Sequence, residues 1–428
     1  MFHAIEPAVR PRGVLVRTMT RFRELAPRRR SEGYAALAAS LAVLAAYAFI
    51  ALHGELSRTI QIAHIDLNVY RAGALTWLHG GDLYGPLPHA APGLELPFTY
   101  PPIAAVVLAP LAVLPSGLDG VLAIALTTGL LALAMRMTLR TLGLPKGISV
   151  NWAVLVAMPT ALVLDPVRVT LVDGQIDVVL MTLVMVDTLG GGLRVGPHRV
   201  RGVLVGLAAA IKLTPAVFVL FFLARGQRRE AATAATSFAA FTAFGFLVAP
   251  RDSAEYWGHI VFQTDRIGSV WYAANQSLEA MLARAGLTGH ALHLTWLAAC
   301  TLIVFLAWVT MRRAARHTNA VGVLLLNALA ELLISPISWT HHWVWIVPLL
   351  VAAGVADRSN GLRGMRVVST VAFALFALGP QWLLPHGNDR ELHWALWEQV
   401  IGSSYTWFAL AVLAMCAFTR AHRISENR

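Results

Sequence analysis

Apolar stretches of membrane length recur along almost the whole chain, and they constrain its fold more than any motif does. A bilayer core about 30 Å thick takes about 20 apolar helical residues to cross. Twelve stretches are long enough or nearly so: Tyr34 to Leu52, Leu118 to Leu139, Ile148 to Leu164, Ile176 to Leu189, Gly202 to Ile211, Pro215 to Leu223, Ala231 to Ala249, His290 to Thr310, Asn319 to Ile334, His342 to Ala356, Val367 to Leu384 and Val400 to Phe418. With 57% hydrophobic and 13% charged residues, 428 residues carry more apolar surface than one water-soluble core buries. The expected fold class is an all-α polytopic membrane protein of about twelve transmembrane helices. Pro101 to Leu114 is apolar too, but it is short and carries Pro101, Pro102 and Pro110, with Pro115 behind it. It reads as a helix lying in or dipping into the interface.

The net charge of +11 would suit nucleic acid or anionic lipid, but its placement points to topology instead. Most of the 34 Lys and Arg gather at one set of span ends: Arg10 to Arg30, Arg136/Arg140/Lys146, Arg194/Arg199/Arg201, Arg225/Arg228/Arg229, Arg312/Arg313/Arg316, Arg358/Arg363/Arg366 and Arg420/Arg423/Arg428. The positive-inside rule puts that face, and both termini, in the cytoplasm of a plasma-membrane protein. A basic tail over residues 1–33 precedes one transmembrane domain over 34–418, whose first extracytoplasmic loop is 53–117, and 419–428 forms a cytoplasmic tail. No cleavage site follows the basic start, so the first apolar run stays as a span. Cys300 and Cys416 both fall in apolar helices and read as small packing residues, with no disulfide.

The carboxylates collect on the opposite face, together with most of the tryptophans: Trp77, Trp257, Trp271, Trp339, Trp343, Trp382, Trp394 and Trp397. Of the remaining acids, Glu331 alone looks intramembrane. Asp66 sits where the first span gives way to a polar loop, the half-desolvated setting in which an acid becomes a usable base; it would otherwise cap its helix or pair with Arg71. Lys212 lies in an apolar hairpin just before Thr214-Pro215. A charge at that depth is costly unless used, and it suits an anionic phosphate better than mere snorkelling to the interface. Ser335 to Trp345 adds His341 and His342, which are more polar than an aromatic anchor needs and suit a donor phosphate or an acceptor hydroxyl. Adjacent histidines point to different faces, unlike the i, i+4 pairs of zinc helices, and no second carboxylate cluster stands beside Asp66 in the sequence. Neither a metal nor a cofactor is therefore expected. Gln175, Asn275 and Gln276 carry amides of the kind that hold sugar hydroxyls, and one or two of the tryptophans could stack on a sugar face.

Short or broken helices at Ile176 to Leu189 and around Lys212 imply a cavity opening outward. No Walker loop, dinucleotide glycine pattern, H-E-x-x-H or G-x-S-x-G is present, and no soluble domain exists to use a sugar nucleotide.

Six ordered stretches, Asp66-Leu67-x-Val69-Tyr70, Leu96 to Pro102, Gly174-Gln175-Ile176-x-Val178-Val179-Leu180, Gly206 to Pro215, Thr264 to Gly268 and Ser335 to Trp345, resemble glycosyltransferase family 87 of the GT-C membrane glycosyltransferases, from about Tyr34 to Phe418. Within it the chain is most similar to polyprenyl-phosphomannose-dependent α-(1→2)-mannosyltransferases that build lipomannan, lipoarabinomannan and phosphatidylinositol mannosides. The resemblance implies a polyprenyl-phosphate-mannose donor, a glycolipid or lipoglycan acceptor in the cell envelope, and no nucleic-acid partner. It puts the family's essential aspartate on Asp66, its Lys-Leu-Thr-Pro lysine on Lys212 and its Trp-Thr-His-His segment on His341 and His342. The same motifs make Arg266 a donor-phosphate candidate, and Tyr70, Tyr100 and Trp339 sugar or acceptor candidates. Asp177 departs from the family's usual asparagine, which leaves its role open. Two rival readings remain: an arabinofuranosyltransferase using decaprenyl-phosphate-arabinose, and a transporter or flippase of lipid-linked sugar. The latter should show polar residues on both membrane faces, whereas the inner face here offers almost nothing but arginine.

Overall fold

The computed structural model describes residues 64–418, apart from 88–95, 116–117, 145–146, 318 and 361–362. The expected first span, Tyr34 to Leu52, and both terminal tails lie outside the described residues.

Among the described residues three helices are long and apolar enough to cross a membrane: Leu118–Leu142, Arg228–Val248 and Gly289–Arg316. They carry three of the expected spans, and they turn much of their surface outward; Leu294, Leu302 and Phe305 of the last are exposed, as a lipid-facing side should be. Two helix pairs are apolar enough together but sharply bent, Val150–Leu162 with Asp165–Asp173 at 79° and Leu396–Gly402 with Ser404–Phe418 at 71°, each a broken span or a re-entrant loop. Other apolar helices are shorter, among them Asp177–Thr188, Val203–Ile211, Ala320–Ile334 and Ile346–Asn360. The chain is thus a mostly helical membrane protein with at least three spans, and much of its interior is made of pieces too short to cross alone.

The breaks follow from local chemistry. Pro215 has no N–H to give the Ile211 carbonyl and its ring would clash with it, so the chain leaves Val203–Ile211 at Lys212 in extended form (φ −144°, ψ 127°) and resumes as the 3-10 turn Thr214–Phe218. Pro336 bars Ser335 (φ −60°, ψ 136°) from continuing a helix, ending Ala320–Ile334; after three residues a 3-10 turn, Thr340–Trp345, feeds into Ile346–Asn360. Gly174 ends Asp165–Asp173 in the left-handed region (φ +72°), where a Cβ would also meet Leu67 at 2.7 Å. That turn delivers Gln175 and Asp177 to the start of the next helix.

These broken elements pack on one another. The helix Ile65–Leu78 lies against both Pro102–Ala112 and Asp165–Asp173, and the latter packs on the turn Thr340–Trp345. Asp177–Thr188 packs on Val203–Ile211 and on the same turn. Gly73 lets the Phe98 ring close over the first of these helices, since a Cβ there would sit 2.4 Å from it. Pro101 to Leu114, expected as a short Pro-rich helix, is the helix Pro102–Ala112 with proline in its first turn.

One element breaks the all-α expectation: strands Leu193–Val195 and His198–Val200 form a small antiparallel hairpin. Arg194 and Arg199, read as plain anchors of a span end, face each other across it. Glycines flank and turn the hairpin, with Gly191, Gly192 and Gly196 all at positive φ, a pattern that reads in sequence as loop. Cys300 and Cys416 are free, as expected.

Candidate active site

Asp66 lies in the first turn of Ile65–Leu78 and Asp177 in the first turn of Asp177–Thr188, so each anion meets the positive end of its own helix. Asp66 is half-buried and takes a hydrogen bond from the Gln175 side chain. Gln175 is fixed in turn: its Oε1 accepts from the Tyr70 hydroxyl at 2.6 Å, and the Tyr70 and Tyr100 hydroxyls lie 3.0 Å apart. Tyr70 spends its one proton on Gln175, so Tyr100 must donate to Tyr70. The relay Tyr100, Tyr70, Gln175, Asp66 has one direction, and it leaves the Gln175 amide N–H groups facing the carboxylate. Burial pushes the Asp66 carboxyl up from its usual value to about 6, and the Asp177 charge adds to this; the Gln175 hydrogen bond and the Lys212 charge pull the other way. A carboxylate with that affinity for protons is ionised at neutral pH yet basic enough to take one.

Beside it lies a second cluster. The Lys212 Nζ donates to Asp177 Oδ1 at 2.8 Å and to His342 Nε2 at 2.9 Å, and it stands 5.6 Å from the centre of the Tyr100 ring. His341 Nε2 is 3.8 Å from Asp177 Oδ2, and the two imidazoles pack edge to face at 4.8 Å. Neither Asp177 Oδ2 nor His341 Nε2 has a hydrogen-bond partner, although both are buried. Glu331, also buried, takes a hydrogen bond from the Thr214 side chain within electrostatic reach of Lys212 and Asp177. A small cleft adjoins this cluster. Its polar end is Asp177, Thr214, Glu331 and His342; its walls are Leu180, Met181, Val184, Phe218, Val344 and Trp345.

The fold therefore unites Asp66, Tyr70, Tyr100, Gln175, Lys212, His341 and His342, which come from stretches far apart in sequence. It treats four other candidates differently. Asn275 is fully buried, and its amide is spent on the backbone: Nδ2 donates to Val270 O and Pro336 O, and Oδ1 accepts from Ser277 N and Ser338 N. Gln276 is equally buried, donating to Ala273 O and Gly402 O and accepting from Tyr405 N. The Asn275 amide braces the segment that carries the histidines, the Gln276 amide ties its own loop to Gly402 and Tyr405, and neither has anything left for a sugar, contrary to the expectation. Arg266 donates to the Tyr84 carbonyl at 2.8 Å and makes no bond to the Lys212 cluster. Trp339 is half-buried, edge to face with Tyr272 at 6.1 Å, and its backbone pairs with Asn275.

Two residues were missed. Asp177 was left without a role and is the ion-pair partner of Lys212; Glu331 was noted as intramembrane, a signal of use in itself, but was given no partner. Asp177, His341 and His342 also offer ligand atoms that all lie within 4.8 Å of one another, a set capable of holding a metal. The sequence reading expected none, having considered the two histidines without an acid brought in from another helix.

The sequence profile of glycosyltransferase family 87 matches residues 98–336. The chain is 37% identical over 379 residues to the polyprenol-phosphate-mannose-dependent α-(1-2)-phosphatidylinositol mannoside mannosyltransferase of Mycobacterium tuberculosis, covering 85% of this chain and 87% of that one. It is 38% identical over 382 residues to the protein of the same name from Mycolicibacterium smegmatis, with 84% of each covered. A phosphatidylinositol pentamannoside mannosyltransferase of the latter organism is 35% identical over 379 residues, covering 83% and 85%. No solved structure matches. With the profile spanning more than half of the sequence and these relatives aligned over most of their length, the chain belongs to glycosyltransferase family 87.

Proposed function

We propose that this glycosyltransferase moves mannose from polyprenyl-phosphate-β-mannose to the 2-hydroxyl of a mannoside on a phosphatidylinositol mannoside or related lipoglycan, at the extracytoplasmic face of the plasma membrane. Asp66 takes the proton of the acceptor hydroxyl as its oxygen attacks the anomeric carbon. The bond from that carbon to the phosphate oxygen breaks, and the electron pair leaves with polyprenyl phosphate. Attack opposite the leaving group turns the β linkage into α. The Lys212 ammonium, with His341 or His342, meets the phosphate charge as it grows, and the Tyr100, Tyr70, Gln175 relay holds Asp66 in line.

The observation that carries this reading is that one moderately basic carboxylate, Asp66, and one buried ammonium, Lys212, lie within electrostatic reach of each other, in a chain of this family. The ammonium of Lys212 and the imidazoles of His341 and His342 adjoin a cleft with hydrocarbon walls, a combination that suits a phosphate attached to a lipid tail. The relatives' names supply the sugar and the linkage.

The test is transfer from radiolabelled polyprenyl-phosphate-mannose to a phosphatidylinositol mannoside in membranes holding the protein. The expected product carries label released by an α-(1→2)-specific mannosidase. Labelled arabinose from decaprenyl-phosphate-arabinose, in the absence of mannose transfer, would replace this donor assignment with the rival one.

A further inference from the structure

We propose that Asp177, His341 and His342 form a binding site for one divalent first-row transition ion, manganese or zinc, which displaces the Lys212 ammonium from Asp177 and frees it for the donor phosphate. The proposal rests on the phosphate reading above and adds a metal to the same site.

Three observations lead to it. The first is charge. Asp66, Asp177 and Glu331 lie within electrostatic reach of one ammonium, so an incoming phosphodiester would meet more negative charge than positive. A divalent ion reverses that balance locally and supplies the Lewis acid that a departing phosphate favours.

The second is that the ligand atoms hold lone pairs ready. Lysine can only donate, so the His342 Nε2 that receives the Lys212 bond is the unprotonated nitrogen of its ring. Asp177 Oδ2 and His341 Nε2 are buried, lack partners and lie 3.8 Å apart. Buried polar atoms without partners are rare enough to need a reason. Here both belong to residues that ligate metals.

The third is spacing. Metal bonds of roughly 2.1 Å in a tetrahedral site put ligand atoms about 3.4 Å apart. The set lies within 4.8 Å, so rotation of side chains closes it without moving a helix. Two imidazoles and a carboxylate suit zinc or manganese better than magnesium or calcium, and positions stay open for phosphate oxygens. Lys212 already sits between two of the ligands as a monovalent stand-in, and a metal and the ammonium compete for Asp177 and His342.

The test uses the full chain in lipid nanodiscs after stripping with EDTA. Free manganese is followed by electron paramagnetic resonance during titration, with zinc added as competitor. The expected result is one ion per chain, bound at least ~10-fold more weakly in Asp177→Asn and in His341→Gln. Lys212→Met, which removes the competing cation, should bind it more tightly, a gain that no loss of folding imitates. Glu398→Gln, at the exposed start of Leu396–Gly402, should leave the site unchanged. Absence of a stoichiometric manganese or zinc site at millimolar metal overturns the proposal, as does a site indifferent to both ligand substitutions. Full transfer by the stripped enzyme without added metal overturns it too. Binding is read without sugar, so its failure leaves the mannosyl-transfer reading standing, and failure of transfer leaves the binding result standing.

Discussion

Two buried carboxylates, Asp165 and Asp177, differ in how completely they are satisfied. Asp165 is surrounded: Oδ1 accepts from Arg168 and from the Trp382 indole, and Oδ2 from Gln381 and from the Tyr405 hydroxyl. Those donors come from its own helix, from the turn Pro380–Leu383 and from the terminal helix, so Asp165 ties three parts of the bundle together. Asp177 has one strong partner on one oxygen and none on the other. A saturated buried network makes rigid structure, whereas an unsaturated one keeps bonding capacity for something that arrives later. The first cluster is a brace, and the second is a receptor.

The contrast breaks if loss of Lys212 harms folding more than chemistry. Lys212→Met should lower kcat/KM for the lipid-linked donor by about 10³, the order seen when a preorganised charge is taken from a developing anion. Its melting temperature should stay near that of wild type. Asp165→Ala should do the reverse. It takes the shared acceptor from the Trp382 indole and the Tyr405 phenol, at ~3 kcal/mol of stability read by thermal unfolding, while the surviving folded fraction keeps most of its turnover.

A finer test concerns the relay to Asp66. Gln175→Ala removes the hydrogen bond that favours the charged carboxylate, so the acid limb of kcat/KM against pH should move upward by about one unit; that alone halves the rate at neutral pH, and with the loss of the group that orients the carboxylate the fall should be about 10-fold. Tyr70→Phe leaves Gln175 in place but removes the hydroxyl that orients it. A fall of about 3-fold is expected there, the smallest effect in the series.

Much of this division was legible in the sequence, for physical reasons. Charge at membrane depth is expensive enough to single out Lys212, Asp66 and the histidine pair, and the Thr-Pro and Ser-Pro steps mark where helices must break to expose them. Partnership across helices left no such trace. The Asp177 to Lys212 pair spans 35 residues and the Lys212 to His342 contact spans 130, so no spacing rule reaches them. Asn275 and Gln276 show the converse error. An amide beside an outer loop looks the same in sequence whether it faces a sugar or braces a backbone turn, and burial alone tells them apart. Span count shows a related point: among the described residues three helices are long and apolar enough to cross alone, against twelve expected stretches. Hydropathy sums the apolar residues of a helix and of the break beside it, so Val203–Ile211 and Thr214–Phe218 with Val219–Ala224 look alike to a window though each is short.

Asp66 as general base is the claim on which the rest turns, and its pH dependence tests it most directly. Its carboxyl binds protons more tightly in the folded chain than in an unfolded one, so the buried charge costs stability as pH rises through about 6, over the same range in which the base becomes active. The decisive measurement is kcat/KM for mannosyl transfer from pH 4.5 to 8.5 in wild type and Asp66→Asn. The account predicts a wild-type limb rising to a plateau with its midpoint near 6, and an Asp66→Asn enzyme that is slower by ~10³, has lost that limb and unfolds at a higher temperature at pH 8. An Asp66→Asn enzyme that transfers mannose at the wild-type rate, or keeps the same limb, would contradict it.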